Sequence, residues 1–138
     1  MNSIIAQYFD AIEVRLIQSP VITSYQIVSR EITLVDGKLR IKMALSDRGL
    51  SEFIEYVTES DGKVHLSKYS FHWQDAQGKL NRRWDNAPHH PELPNAPHHV
   101  HHEDRTVHGI MMIPNLCHRA NRRSINLKSV VLSFYEYC

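Results

Sequence analysis

At 138 residues with 42% hydrophobic side chains, the chain fits a single domain, 1–138, whose core buries roughly two thirds of the unfolded surface and needs no metal or disulfide staple. The net charge of +1 hides an asymmetry: with histidine neutral, residues 1–60 sum to about −2 and the remainder to about +3, so the second half is the expected anion binder. Two cysteines without CxxC spacing argue for free thiols, no apolar run approaches the roughly 20 residues of a membrane span, and MNSIIAQYFDAIEVR lacks a basic start followed by an apolar stretch. These features argue against a disulfide scaffold, a membrane helix and a secretory leader, and a soluble, cytoplasmic protein is expected.

Ile4, Ile5, Tyr8, Phe9, Ile12 and Leu16 recur at helical spacing, with Ser3 placed as an N-cap and Pro20 as a stop, which predicts an amphipathic helix over 4–17. The following VITSYQIVSREITLV is rich in β-branched residues, and Asp36-Gly37 reads as a two-residue hairpin turn. Leu39, Ile41, Met43 and Leu45 then alternate with Arg40, Lys42 and Ala44, one face buried and one solvated. Turns at 47–49 and at Asp61-Gly62 bound a third strand over 52–58. A fourth covers 63–74, with Tyr69, Phe71 and Trp73 on the face opposite Ser70, His72 and Gln74. A last hairpin at 75–78 leads into a fifth strand over 79–85. Its register is expected to pair Asp75 with Gly78 and Trp73 with Leu80, the alternative being a three-residue loop that sets His72 against Arg82.

Six of the ten histidines lie between His89 and His102. Four prolines (Pro88, Pro91, Pro94, Pro97) interrupt the same stretch, so an extended loop is expected there. Residues 109–114 (GIMMIP) read as a short buried piece, 118–123 (HRANRR) as a basic connector, and Asn126 as the cap of a final helix with Leu127, Val130, Val131, Phe134 and Tyr137 on one side. The fold class predicted is α+β: a five-stranded antiparallel meander covered by N- and C-terminal helices, with a Pro/His-rich loop.

Histidine titrates near neutrality, so a cluster holds proton donors and acceptors together. Cleavage of RNA without a cofactor needs a base for the 2′-hydroxyl, an acid for the departing 5′-oxygen and cations beside the phosphorane. The candidates for proton transfer are His72, His89, His90, His98, His99 and His101, with Arg83 as phosphate clamp and Asp85 orienting a histidine. Arg82, Trp73, Trp84 and Asn86 are the candidates for contacting nucleic acid. The bland readings are that Trp73 and Trp84 are core, that Arg82 and Arg83 form a solvated strand face, and that Asp85-Asn86 is a turn. A metal held by these histidines is the lesser expectation, since the helical HxxxH, the cysteines and the fixed carboxylate of a structural site are missing; no metal and no cofactor are expected. Two competing functions remain open at this level: a His-ligated metal-dependent nuclease, and a non-catalytic module that docks on nucleic acid or an acidic partner.

The blocks YSFHWQD, RRWDNAPHHPEL and PHHVH resemble the TumE family of toxins from bacterial toxin–antitoxin modules. The resemblance implies a small cytoplasmic toxin encoded beside an antitoxin, often a DNA-binding protein, that binds and silences it, with RNA as the expected substrate. The matching positions are His72, Trp73, Arg83, Trp84, Asp85, Asn86, His89, His90, His98, His99 and His101. The oligomeric state is left open, a homodimer being one possibility.

Overall fold

The computed structural model describes residues 1–110. One helix, α1 (Ser3–Gln18), is followed by seven strands: β1 (Ile22–Ile32), β2 (Asp36–Leu45), β3 (Leu50–Ser60), β4 (Lys63–Gln74), β5 (Leu80–Asp85), β6 (His99–His102) and β7 (Val107–Gly109). They form one antiparallel sheet in chain order. This corrects the predicted fold class: the described residues are mostly β, with seven strands instead of five and a single helix. The helix expected from Asn126 and the basic connector at 118–123 lie outside the described residues.

The helix forms as its spacing predicts, but Asn2 caps it instead of Ser3: the Asn2 side chain accepts from the Ile4 and Ile5 N–H groups at 3.0 and 3.1 Å, satisfying donors that the first turn leaves without partners. Ile5, Phe9, Ile12 and Leu16 are buried. They lie against alternate residues of the strands, including Leu39, Ile41, Phe53, Val57, Tyr69 and Phe71, and Trp84, Val100 and Ile110 carry this core on toward β7. The opposite face has no helix on it among the described residues.

Gly37 is not a turn residue, as the Asp36-Gly37 signal suggested. The chain reverses at 33–35, Gly37 pairs with Ile32, and a Cβ on it would meet Ile5 Cγ2 at 2.7 Å; glycine is there so that α1 can approach the sheet. The Asp61-Gly62 turn is as expected, both residues taking positive φ (52° and 75°).

The β4–β5 register differs from the one preferred from sequence. Beside the turn, Gln74 pairs with Leu80, the spacing of the three-residue loop; a bulge at Asn81 then adds one residue, so that Trp73 pairs with Arg82, His72 with Arg83, Phe71 with Trp84 and Ser70 with Asp85. The histidine-rich stretch is also not loop throughout. Its last four residues are β6, because their N–H and C=O groups find partners on both β5 and β7. The piece at 109–114 begins with the end of β7 and the buried Ile110; the rest of it is outside the described residues.

Candidate functional site

The site is assembled by the alternation of β6. In His99-Val100-His101-His102 successive side chains take opposite faces, so His99 and His101 project from the open face while Val100 belongs to the core. Pairing with β5 sets His101 beside Arg83 and His99 beside Asp85. Residues 86–98 fold back over them. His90 meets both rings edge-on, at 5.0 Å from His99 and 5.8 Å from His101, and the Pro94 carbonyl fills the space a Cβ on Gly109 would need. His99 is thereby 1% exposed and Asp85 7%.

Inside this cluster Arg83 Nε donates to Asp85 Oδ2 at 3.2 Å, and Arg83 Nη2 lies 3.1 Å from His101 Nε2. Asp85 Oδ1 accepts from the Ala87 N–H at 3.0 Å and lies 3.0 Å from His99 Nε2, which is itself 3.0 Å from His101 Nε2. The tautomers follow from the partners. A carbonyl only accepts, so His99 Nδ1, 2.7 Å from the Pro97 oxygen, carries a proton, and the Nε2 of the neutral ring is bare. Arginine only donates, so His101 Nε2 is bare as well. Two lone pairs and a carboxylate oxygen therefore meet in one small volume. Burial, and then the Arg83 guanidinium, hold His101 below the ordinary histidine range, against a smaller opposing effect of Asp85.

The cluster ends a longer row. Gln26, Lys42, Glu52, His72, Arg83 and His101 are successive partners across β1 to β6, all on the open face. Neighbouring strands lie about 4.8 Å apart, so His72 and His101 flank Arg83 with about 10 Å between their backbones. His72 Nε2 lies 3.2 Å from Gln74 Oε1, and a hollow of about 420 Å³ opens beside it, lined in part by Gln26, Lys42, Glu52 and Gln74. Arg40 holds Glu52 Oε1 at 2.8 Å through Nη2.

A family model described as Toxin TumE matches residues 12–122, most of the chain and all of the row. The chain belongs to the TumE family. It is accordingly a toxin of a toxin–antitoxin system, with an antitoxin as partner. No curated protein and no solved structure matches it. No helix among the described residues is long and apolar enough to cross a membrane.

In this TumE-family toxin the structure gathers His72, Arg83, Asp85, His90, His99 and His101 on one face and sends the other candidates elsewhere. His98 stacks on Tyr69 at 5.8 Å, its Nδ1 3.0 Å from the Tyr69 hydroxyl, on the helix-covered side; burial, then His99, hold it below the ordinary range. His89 is exposed on the loop. Trp84 is 1% exposed in the core and has no ring face to offer a base. Trp73 and Arg82 pair on the face opposite the cluster, where they line a separate hollow of about 460 Å³ with His102 and His108. Asn86 uses both ends of its amide on β4, accepting from the Tyr69 N–H and donating to the Ser67 carbonyl, each at 3.0 Å; it fixes where β5 ends. Sequence reasoning missed Lys42 and Glu52, which join the row only once the register across four strands is known. It also missed Glu92, whose carboxylate lies 3.3 Å from His90 Nδ1; the His-x-Glu spacing was its only signal.

Proposed function

We propose that the chain exerts its toxicity by cleaving RNA phosphodiesters without a metal, at the row His72–Arg83–His101, in the cytoplasm, and that its antitoxin is a DNA-binding protein. What carries the reading is the position of one arginine between two histidines in direct strand register. In an in-line displacement the attacking and departing oxygens are about 4 Å apart, and a hydrogen bond of about 2.8 Å at each end brings the two proton-transfer atoms to about 9 Å. That span is of the same order as the distance from β4 to β6. Arg83, its side chain 42% exposed, clamps the phosphate and stabilises the doubly charged phosphorane. His101, bare at Nε2, takes the 2′-hydroxyl proton as that oxygen attacks phosphorus; His72 gives a proton to the 5′-oxygen as its bond to phosphorus breaks. Asp85 and the buried His99 hold the His101 ring in place. Lys42 and the hollow beside His72 extend the track along which the RNA backbone lies.

The test is cleavage of a labelled cellular RNA pool by purified protein. Arg83→Ala is expected to lower the rate by 10²–10³, about 3 to 4 kcal/mol of transition-state stabilisation, and His72→Ala and His101→Ala each by at least tenfold. RNA binding without cleavage by the parent protein overturns the reading in favour of a non-catalytic module.

A further inference from the structure

We propose that His90, His99 and His101, with Asp85 beside them, form a binding site for a divalent transition metal of the zinc class, whose occupancy takes His101 out of the cleavage chemistry; this second half rests on the function proposed above. Nitrogen donors of His90, His99 and His101 all lie within 4.8 Å of one another. The two nearest, the Nε2 atoms of His99 and His101, are 3.0 Å apart, against about 3.3 Å between nitrogens around a tetrahedral zinc with bonds of about 2.0–2.1 Å. Asp85 Oδ1 lies 3.0 Å from His99 Nε2, beside the three-histidine group, as a carboxylate next to the ion's ligands.

The outer nitrogens carry the argument further. A metal-binding histidine gives its other N–H to a carboxylate or a carbonyl, which fixes the tautomer and turns the lone pair inward. Both arrangements occur here: His99 Nδ1 to the Pro97 carbonyl at 2.7 Å, and His90 Nδ1 to the Glu92 carboxylate at 3.3 Å. A zinc ion would take up the lone pairs that meet there. Imidazole with a single carboxylate suits zinc and its neighbours better than magnesium or calcium, which prefer oxygen. Arg83 opposes the ion, since its Nη2 hydrogen-bonds His101 Nε2; its side chain is 42% exposed, so it can swing to solvent as the metal enters. With His101 coordinated and Arg83 displaced, the row loses its base and its clamp.

Untagged protein is dialysed against a chelator and titrated with zinc chloride by calorimetry, with cobalt(II) absorption as an independent readout of tetrahedral coordination. The expected result is one ion per chain, bound at micromolar concentration or tighter. His90→Ala should weaken binding at least tenfold, and His89→Ala, one residue away and outside the cluster, should leave it unchanged. His90 lies on the covering loop, so its replacement leaves the strands intact. Absence of binding at 100 µM zinc overturns the site, as does an affinity unchanged by His90→Ala or lost in His102→Ala, which would place the ion at the His102–His108 pair. In parallel, the chelator-treated protein should cleave RNA and lose at least tenfold in rate when saturated with zinc. If it is instead inert and zinc restores cleavage, the inhibitory half and the metal-free chemistry are both overturned, while the calorimetry decides the site separately.

Discussion

The two faces of the sheet are made from the same strands by alternate residues, and each buries a carboxylate. On the open face Asp85 is surrounded by Arg83, two imidazoles and the Ala87 N–H. On the helix-covered face Glu55 is fully buried with the Tyr8 hydroxyl at 2.8 Å from Oε2, while Oε1 has no hydrogen-bond partner among the described residues. One carboxylate is built into a charged network and the other is a polar intruder in an apolar layer. The difference shows that burial by itself does not mark a functional group; the groups that converge on it do.

The contrast breaks most directly at a pair of adjacent residues on opposite faces. Trp84→Ala removes a side chain wholly inside the core and is expected to cost about 3–5 kcal/mol of stability. Arg83→Ala deletes a half-exposed group whose ion pair is worth about 1 kcal/mol or less, so denaturant midpoints should stay near the parent value while cleavage falls. A Trp84→Ala protein of parental stability with impaired RNA binding would restore Trp84 as a stacking residue and put the face assignment of β5 in error.

Glu55 separates the faces by pH. Burial raises its pKa from 4.5 to about 7, the Tyr8 hydrogen bond opposing the shift. Below pH 4.5 the folded and unfolded chains both hold this proton. Between 4.5 and about 7 the unfolded chain releases it while the folded chain keeps it, so stability falls as pH rises; above that both are ionised and the loss levels off, at about 3 kcal/mol. Urea unfolding at pH 5 and pH 8 should show the parent weaker at pH 8, and Glu55→Gln should remove most of that difference. An unchanged difference in Glu55→Gln would mean that Glu55 is not its source; the histidine face acts with the opposite sign, because burial holds His101 below the ordinary range and its cost is relieved as pH rises.

Much of the helix-covered face could be read in advance because its signals are local. Ile5, Phe9, Ile12 and Leu16 mark a helix by spacing alone, Tyr69 and Phe71 mark a strand face by alternation, and Asp61-Gly62 marks a turn by its tolerance of positive φ. The open face was legible in its residue types but not in its geometry. His72, Arg83, Asp85 and the histidines could be named as chemistry, yet their meeting depends on the one-residue bulge at Asn81, which nothing nearby in the chain announces. β6 was hidden for a related reason. Prolines and histidines carry little strand propensity, and His99-Val100-His101 becomes a strand pattern only when β5 and β7 supply its partners. The same limit explains Trp84: tryptophan beside two arginines suits a nucleic-acid strand or a core equally well, and only the register places it opposite Phe71.

The smallest expected effect tests how closely the covering helix is fitted to its face. An alanine at position 37 gains strand propensity over glycine, about 0.5–1 kcal/mol, but its Cβ would sit 2.7 Å from Ile5 Cγ2 and 3.1 Å from the Phe9 ring. Overpacking of this kind costs about 1–3 kcal/mol, and because the obstructing atoms are side chains that can yield, Gly37→Ala is expected to destabilise by about 1 kcal/mol. Placed in an Ile5→Ala background, where the obstructing methyl is gone, the same substitution should become neutral or stabilising, since the new methyl fills part of the vacated space. If the two substitutions instead add without coupling, α1 is not seated on Gly37 in solution and the helix covers this face less closely than the packing of Ile5 and Phe9 implies. Cleavage should be unaffected in either case, because the contact lies on the side of the sheet away from Arg83.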